Sequence, residues 1–240
     1  MIFELIENIL QLTAIVACLY LIIVTYLRYK QTLWSEPLGK RRLAIILVLF
    51  LAVSAIKISE DALGGESGPI DRAILLFIHS NVPSTLTWFF EAISFTGSSK
   101  FILLLTVLAI IALLCAGRRT ESLLVSTSMM SSTVMIYVVK MGVGRARPAL
   151  WNTEWYWGSS FPSGHTLAVA TLATAITLSI SRIMPVAHKI ALTVAILWIL
   201  LVAISRLVLG VHWPTDVLAA ACIGAFLPLV ISIALDLRDT

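Results

Sequence analysis

The chain has 240 residues, of which 59% are hydrophobic and 12% charged. A soluble domain carries about 25% charged residues, so this chain has too little charge to coat a water-facing surface, which excludes an ordinary soluble domain, a disordered chain and a nucleic-acid-binding module. The composition indicates a polytopic membrane protein with apolar blocks of about 20 residues, in which the placement of Lys and Arg matters more than the net charge of +4.

Seven apolar runs follow in order: 9–27, 43–58, 101–117, 122–139, 166–184, 190–208 and 217–235. Each is long enough, or nearly so, to cross a hydrocarbon core of about 30 Å as a helix, the short second run being completed by flanking residues. Strict apolar/polar alternation is absent from all seven, which argues against a transmembrane β-barrel. The fold expected is therefore all-α, a membrane helical bundle. Between the second and third runs, Gly64, Gly65, Pro69 and Pro83 break residues 59–100 into one or two short helices at the membrane surface, with Trp88, Phe89 and Phe90 as an interfacial anchor. Residues 141–165 carry Trp151, Trp155, Tyr156 and Trp157, again an aromatic-belt composition. The polar stretch from Ser126 to Thr133 reads as small-residue helix packing. Cys18, Cys115 and Cys222 fall inside apolar runs and read as buried small hydrophobes.

Orientation follows from the basic residues. Arg28, Lys30, Lys40, Arg41, Arg42, Arg118, Arg119, Arg182, Lys189 and Arg238 lie on one side, ten of the seventeen Lys and Arg, and that side is expected to be cytoplasmic. Glu4 and Glu7, with no Lys or Arg before the first run, predict an outward N-terminus unlike a cleaved signal peptide; the C-terminus is then cytoplasmic. The first run is the least constrained, since it could also lie along the interface.

Three polar clusters remain, at Lys140–Pro148, Phe161–Thr166 and Ser205–Asp216, all at the outward ends of their helices. Lys140, Arg147 and Arg206 supply positive charge, and forked guanidinium groups suit paired phosphate oxygens. Ser163 is a candidate helix cap, Gly164 permits close backbone approach, and the helix N-terminus adds N–H donors for an anion. His165 and His212 offer a nucleophile and a general acid. Pro214 suits the first position of a helix, which puts Asp216 in its first turn within reach of one ring nitrogen of His212. That nearby acid makes His212 the nucleophile, Asp216 its orienter and His165 the acid. Two His and one Asp could ligate zinc, but three neighbouring cations repel a dication, so no metal or other cofactor is required. Arg145 is expected to contact lipid headgroups, Glu154 to be a loop acid, and His79 and His188 to be solvated.

Lys140 to Arg147-Pro148, then Pro162-Ser163-Gly164-His165, then Ser205-Arg206 with His212 and Asp216, resembles the three-part signature of the type-2 phosphatidic acid phosphatase family, whose wider superfamily includes acid phosphatases and vanadium haloperoxidases. The resemblance implies a six-helix phosphatase core over 43–240, with residues 1–42 as an extra N-terminal span and basic cytoplasmic loop. It implies a metal-independent phosphatase working through a phosphohistidine, with Lys140, Arg147, Ser163, Gly164 and Arg206 binding phosphate. The expected substrate is a lipid phosphate at the outer face of the cell membrane, undecaprenyl diphosphate first, with phosphatidylglycerophosphate, phosphatidate or phosphotransfer to another lipid as alternatives. A lipid transporter is the non-enzymatic alternative, against which stands the clustering of charge at span ends rather than at the midplane.

Overall fold

A computed structural model describes residues 2–30, 41–151 and 158–238, and among them there is no strand. The helices are α1 (Ile2–Lys30), α2 (Arg42–Gly64), α3 (Gly68–Asn81), α4 (Thr87–Phe95), α5 (Ser99–Cys115), α6 (Arg119–Gly142), α7 (Gly164–Ile183), α8 (His188–Val208) and α9 (Pro214–Arg238). All seven apolar runs are helical, as lipid requires of a segment that must satisfy its own backbone. Among the described residues five helices, α2 and α6 to α9, are long and apolar enough to cross a membrane, or six if the bent pair α3 and α4 counts as one span; α5, with 17 residues, spans about 26 Å. Trp155, Tyr156, Trp157 and Glu154 lie outside the described residues.

Local signals set several boundaries. Gly65 ends α2 with φ +84°, a left-handed conformation open to glycine. Ser98 caps α5, its hydroxyl accepting from the Phe101 N–H at 3.4 Å. Pro214 opens α9, as expected for a residue whose N–H would have no partner there.

α7 lies at the centre, with α6, α8 and α9 packed around it. Val169, Leu172 and Ala175 of α7 form a buried core with Ile102 of α5, Val125 of α6 and Val202 of α8. α7 and α9 approach closely because Gly224 has no side chain: a Cβ there would stand 2.6 Å from the Leu167 carbonyl oxygen and 2.7 Å from the Ala170 Cβ. Ala220, one turn earlier on α9, is also fully buried, and Ala219 packs against Ala62 of α2 and Phe161. α1 packs on α2.

The segment 59–100 contains two short helices, as expected, α3 and α4 joined through a 3-10 turn with the two arms bent by 92°, and they dock on the bundle, α3 against α8 and α9, α4 against α8. One expectation changes. Cys18 and Cys115 are exposed and Cys222 half-buried, rather than buried. A thiol is apolar enough to sit on a lipid-facing surface, so apolar sequence context did not imply a protein interior. At the end of the bundle opposite the three clusters, Asp236 pairs with Arg41 and with Arg182 at 3.0 Å, joining α2, α7 and α9.

Candidate active site

The three clusters meet at one end of the bundle. Lys140, in the last turn of α6, donates from Nζ to the Ser159 carbonyl at 2.6 Å. Beyond α6 the chain runs out and returns, the Ser160 N–H donating to the Arg145 carbonyl at 2.9 Å. Arg147 donates from Nη1 to the Val211 carbonyl at 2.8 Å, and the same nitrogen stands 3.5 Å from His212 Nε2. Its Nη2 lies 3.5 Å from the Ser159 carbonyl, so Lys140 and Arg147 converge on one backbone oxygen.

Ser163 occupies the N-cap position of α7 but makes no cap bond. Its hydroxyl lies 3.1 Å from Thr166 Oγ1, while its N–H donates to the Asp216 carbonyl at 3.2 Å, which ties the start of α7 to the first turn of α9. Gly164 is less crowded than expected: a Cβ there would meet only Ile136 and Lys140 at 3.8 and 3.9 Å, so protein packing does not demand glycine at this position. His165 follows in the first turn, half-buried, with the α4–α5 turn pressed against it; a Cβ on Gly97 would be 3.2 Å from the His165 Cβ.

Arg206, in the last turn of α8, is 1% exposed and donates from Nη1 to Ser94 Oγ of α4 at 2.5 Å. Gly210 then turns the chain with φ +66° beneath the Trp151 ring, where a Cβ would clash at 2.6 Å. His212 follows, buried in the α8–α9 connection. Burial pushes its imidazole down from the usual range to about 4, against the opposing pull of Asp216, so it is neutral at pH 7. Its Nδ1 is 3.5 Å from Asp216 Oδ2, longer than a formed hydrogen bond, and has no other partner among the described residues. The Trp213 N–H donates to the same carboxylate oxygen at 2.9 Å.

Four further residues belong to the site's surroundings. Arg145 does not face lipid headgroups: it donates to Asp216 Oδ1 at 2.5 Å and to Asp71 Oδ2 at 2.8 Å, two buried carboxylates that draw it inward. Asp71 of α3 also accepts from the Thr215 N–H at 3.0 Å and from the Thr215 hydroxyl at 2.6 Å. Ser94 holds Arg206 as described. None of these pairings has a local sequence signal, since the partners lie 71 to 144 residues apart. His79, expected to be solvated, is exposed but stacks on Trp151 with ring centroids 4.1 Å apart, and His188 is half-buried. A cavity of about 350 Å³ opens beside the site, lined by His165 and Arg206 together with Glu91, Ser94 and Phe95.

Comparison with known proteins identifies the family. The profile of the PAP2 superfamily matches residues 121–238, which contain all three clusters. Phosphatidylglycerophosphatase B of Bacillus subtilis strain 168 is 27% identical over 186 residues, covering 76% of this chain and 90% of that protein. Undecaprenyl-diphosphatase of Sulfolobus acidocaldarius is 30% identical over 193 residues, covering 76% of this chain and 86% of that protein. The crystal structure of the transmembrane PAP2-type phosphatidylglycerolphosphate phosphatase from Bacillus subtilis superposes with a TM-score of 0.68 at 27% identity, covering 82% of this chain and 97% of that one. With its signature residues gathered at one end of an apolar helical bundle, the chain is a multi-pass membrane phosphatase belonging to the PAP2 superfamily.

Proposed function

We propose that the chain is an integral membrane lipid phosphatase that removes a terminal phosphoryl group from a lipid phosphomonoester or diphosphate through a phosphohistidine on His212. The observation that carries this reading is the setting of one buried, neutral imidazole: Nδ1 faces Asp216 and Nε2 faces the Arg147 guanidinium at 3.5 Å. A phosphoryl group held by Arg147, Lys140, Arg206 and the N–H groups at the start of α7 stands next to Nε2. Nε2 attacks phosphorus, the bond from phosphorus to the leaving oxygen breaks, and His165 gives that oxygen its proton. Asp216 stabilises the positive charge that develops on the His212 ring. In the second half, His165 takes a proton from water, whose oxygen attacks phosphorus; the N–P bond breaks and phosphate leaves.

The positive-inside pattern supports an extracytoplasmic site, because the ten basic residues that set it fall, along the sequence, in the connections and terminus on the opposite side from the three clusters. We assign residues 43–240 to the phosphatase core and 1–42 to an added N-terminal span and basic loop. Undecaprenyl diphosphate is placed first among substrates, since an outward-facing site suits recycling of a carrier lipid, and phosphatidylglycerophosphate second. The test is phosphate release by purified protein, in chelator, from a panel of lipid phosphates. His212→Ala is expected to release none; release at the unmodified rate by that variant overturns the mechanism, and label appearing on a second lipid instead of in solution identifies a phosphotransferase.

A further inference from the structure

We infer that Arg145 and Asp71 form a buried brace that fixes the Asp216 carboxylate against His212, making Arg145 a positioning residue for the nucleophile rather than a phosphate ligand. The inference rests on the proposed role of His212 and Asp216. Its basis is the number and direction of the bonds. Arg145 spans two carboxylates with one guanidinium, Nη1 on Asp216 Oδ1 at 2.5 Å and Nη2 on Asp71 Oδ2 at 2.8 Å, and Nη1 also reaches Thr215 Oγ1 at 2.8 Å. Asp71 is in turn held at both oxygens: Oδ1 accepts from the Thr215 N–H at 3.0 Å, and Oδ2 accepts from the Thr215 hydroxyl at 2.6 Å and the Ser67 hydroxyl at 3.1 Å.

Asp216 is left with a defined division of labour. Oδ1 is taken by Arg145, and Oδ2 accepts from the Trp213 N–H at 2.9 Å and presents its remaining lone pair to His212 Nδ1. With both oxygens occupied, the carboxylate cannot rotate away from the imidazole. Asp71 is 1% exposed and Asp216 fully buried, so removing the shared cation leaves two buried carboxylates without their mutual partner, a costly arrangement that relaxes by moving one of them. Arg145 is absent from the lining of the adjacent cavity, which includes Arg206 and His165. Its fork cannot serve phosphate while it holds two acids.

A brace acting through Asp216 lowers turnover without weakening binding, because displacement of a reacting group by about 1 Å costs about 100-fold in rate. Arg145→Gln is expected to lower kcat by about 10- to 100-fold with KM within about 3-fold of the unmodified enzyme, and Arg145→Lys, which can satisfy one carboxylate but not both, to recover part of the loss. In an Asp216→Asn background the same Arg145→Gln change is expected to cost less than about 2-fold, since the group it acts through is already impaired. Asp71→Asn follows the same pattern with a smaller loss, and carries the test if Arg145→Gln does not fold in detergent. A raised KM with unchanged kcat in Arg145→Gln, or a loss that multiplies fully with Asp216→Asn, overturns the brace. An inert His212→Ala beside a fully active Arg145→Gln overturns the brace alone, whereas a fully active His212→Ala overturns the phosphohistidine reading and the brace with it.

Discussion

Replacing Ser94 with Ala tests how the site holds its most deeply buried cation. Arg206 is 1% exposed and Ser94 5%, and the 2.5 Å bond between Nη1 and Oγ joins α8 to α4 across 112 residues of sequence. A hydrogen bond to a charged group contributes about 1.5–3 kcal/mol, more than a neutral pair, and its loss here leaves a buried N–H without that acceptor. At about 1.4 kcal/mol per tenfold change, kcat/KM for a lipid phosphate should fall by about 10- to 100-fold, because a guanidinium that has lost this anchor is held less firmly in the orientation that meets the phosphate. The assay is initial-rate phosphate release over a range of substrate in detergent micelles, alongside Ser94→Thr, which keeps the hydroxyl and should recover most of the activity. An Ser94→Ala enzyme with kcat/KM within about 2-fold of the unmodified one, under conditions where Arg206→Ala is inactive, would show that Arg206 is held by other contacts and would refute the reasoning.

Gly97→Ala puts a methyl 2.9 Å from Val202 Cγ1 and 3.2 Å from His165 Cβ, neither of them the end of a flexible chain. It is expected to destabilise by about 1–3 kcal/mol and to lower kcat by moving His165, read from the thermal midpoint and from turnover. His212, held down to about 4, binds no proton in the folded chain between its unfolded value of about 6.5 and that point, whereas the unfolded chain does. Stability is therefore fully present above about pH 6.5 and lost as pH falls toward 4, by about 3 kcal/mol, and the thermal midpoint of His212→Gln should lack this component. Glu91→Gln removes a negative charge from the wall of the cavity facing Arg206. It should raise kcat/KM for a diphosphate relative to a phosphomonoester by about 3- to 5-fold; a ratio that stays constant would place Glu91 outside the substrate's reach.

The sequence made the helices and the residues that gather at the candidate site legible for one physical reason. In lipid, unbroken apolar runs can only be helices, and ionisable residues beside them are costly enough to stand out, which is how Lys140, Arg147, His165, Arg206, His212 and Asp216 were found. What holds them was not legible. Asp71 and Ser94 lie in a segment whose Gly and Pro residues announce only turns, and the site residues they bind are distant: Arg145 and Thr215 are 74 and 144 residues from Asp71, and Arg206 is 112 from Ser94. Arg145 and Arg147 are two residues apart in the same extended stretch, and no local feature says that one meets Asp216 and Asp71 while the other meets the Val211 carbonyl. Ser163 shows the converse: its local sequence suits a cap, but Thr166 takes the hydroxyl.

These long-range contacts divide the labour of the site between two parts of the chain. α6 to α9 and their connections carry the groups proposed to bind and attack phosphorus. The segment from α3 to the start of α5 supplies none of them, yet it reaches three: Asp71 reaches Asp216 through Arg145, Ser94 binds Arg206, and the turn at Gly97 presses on His165. The same segment helps line the cavity that holds His165 and Arg206, through Glu91, Ser94 and Phe95. We expect a lipid phosphate bound among the signature residues to lay its next atoms along this cavity. Substitutions on the exposed side of α4 can therefore change which lipid is accepted while leaving phosphoryl transfer intact, whereas substitutions at Asp71, Ser94 or Gly97 slow transfer for every lipid alike.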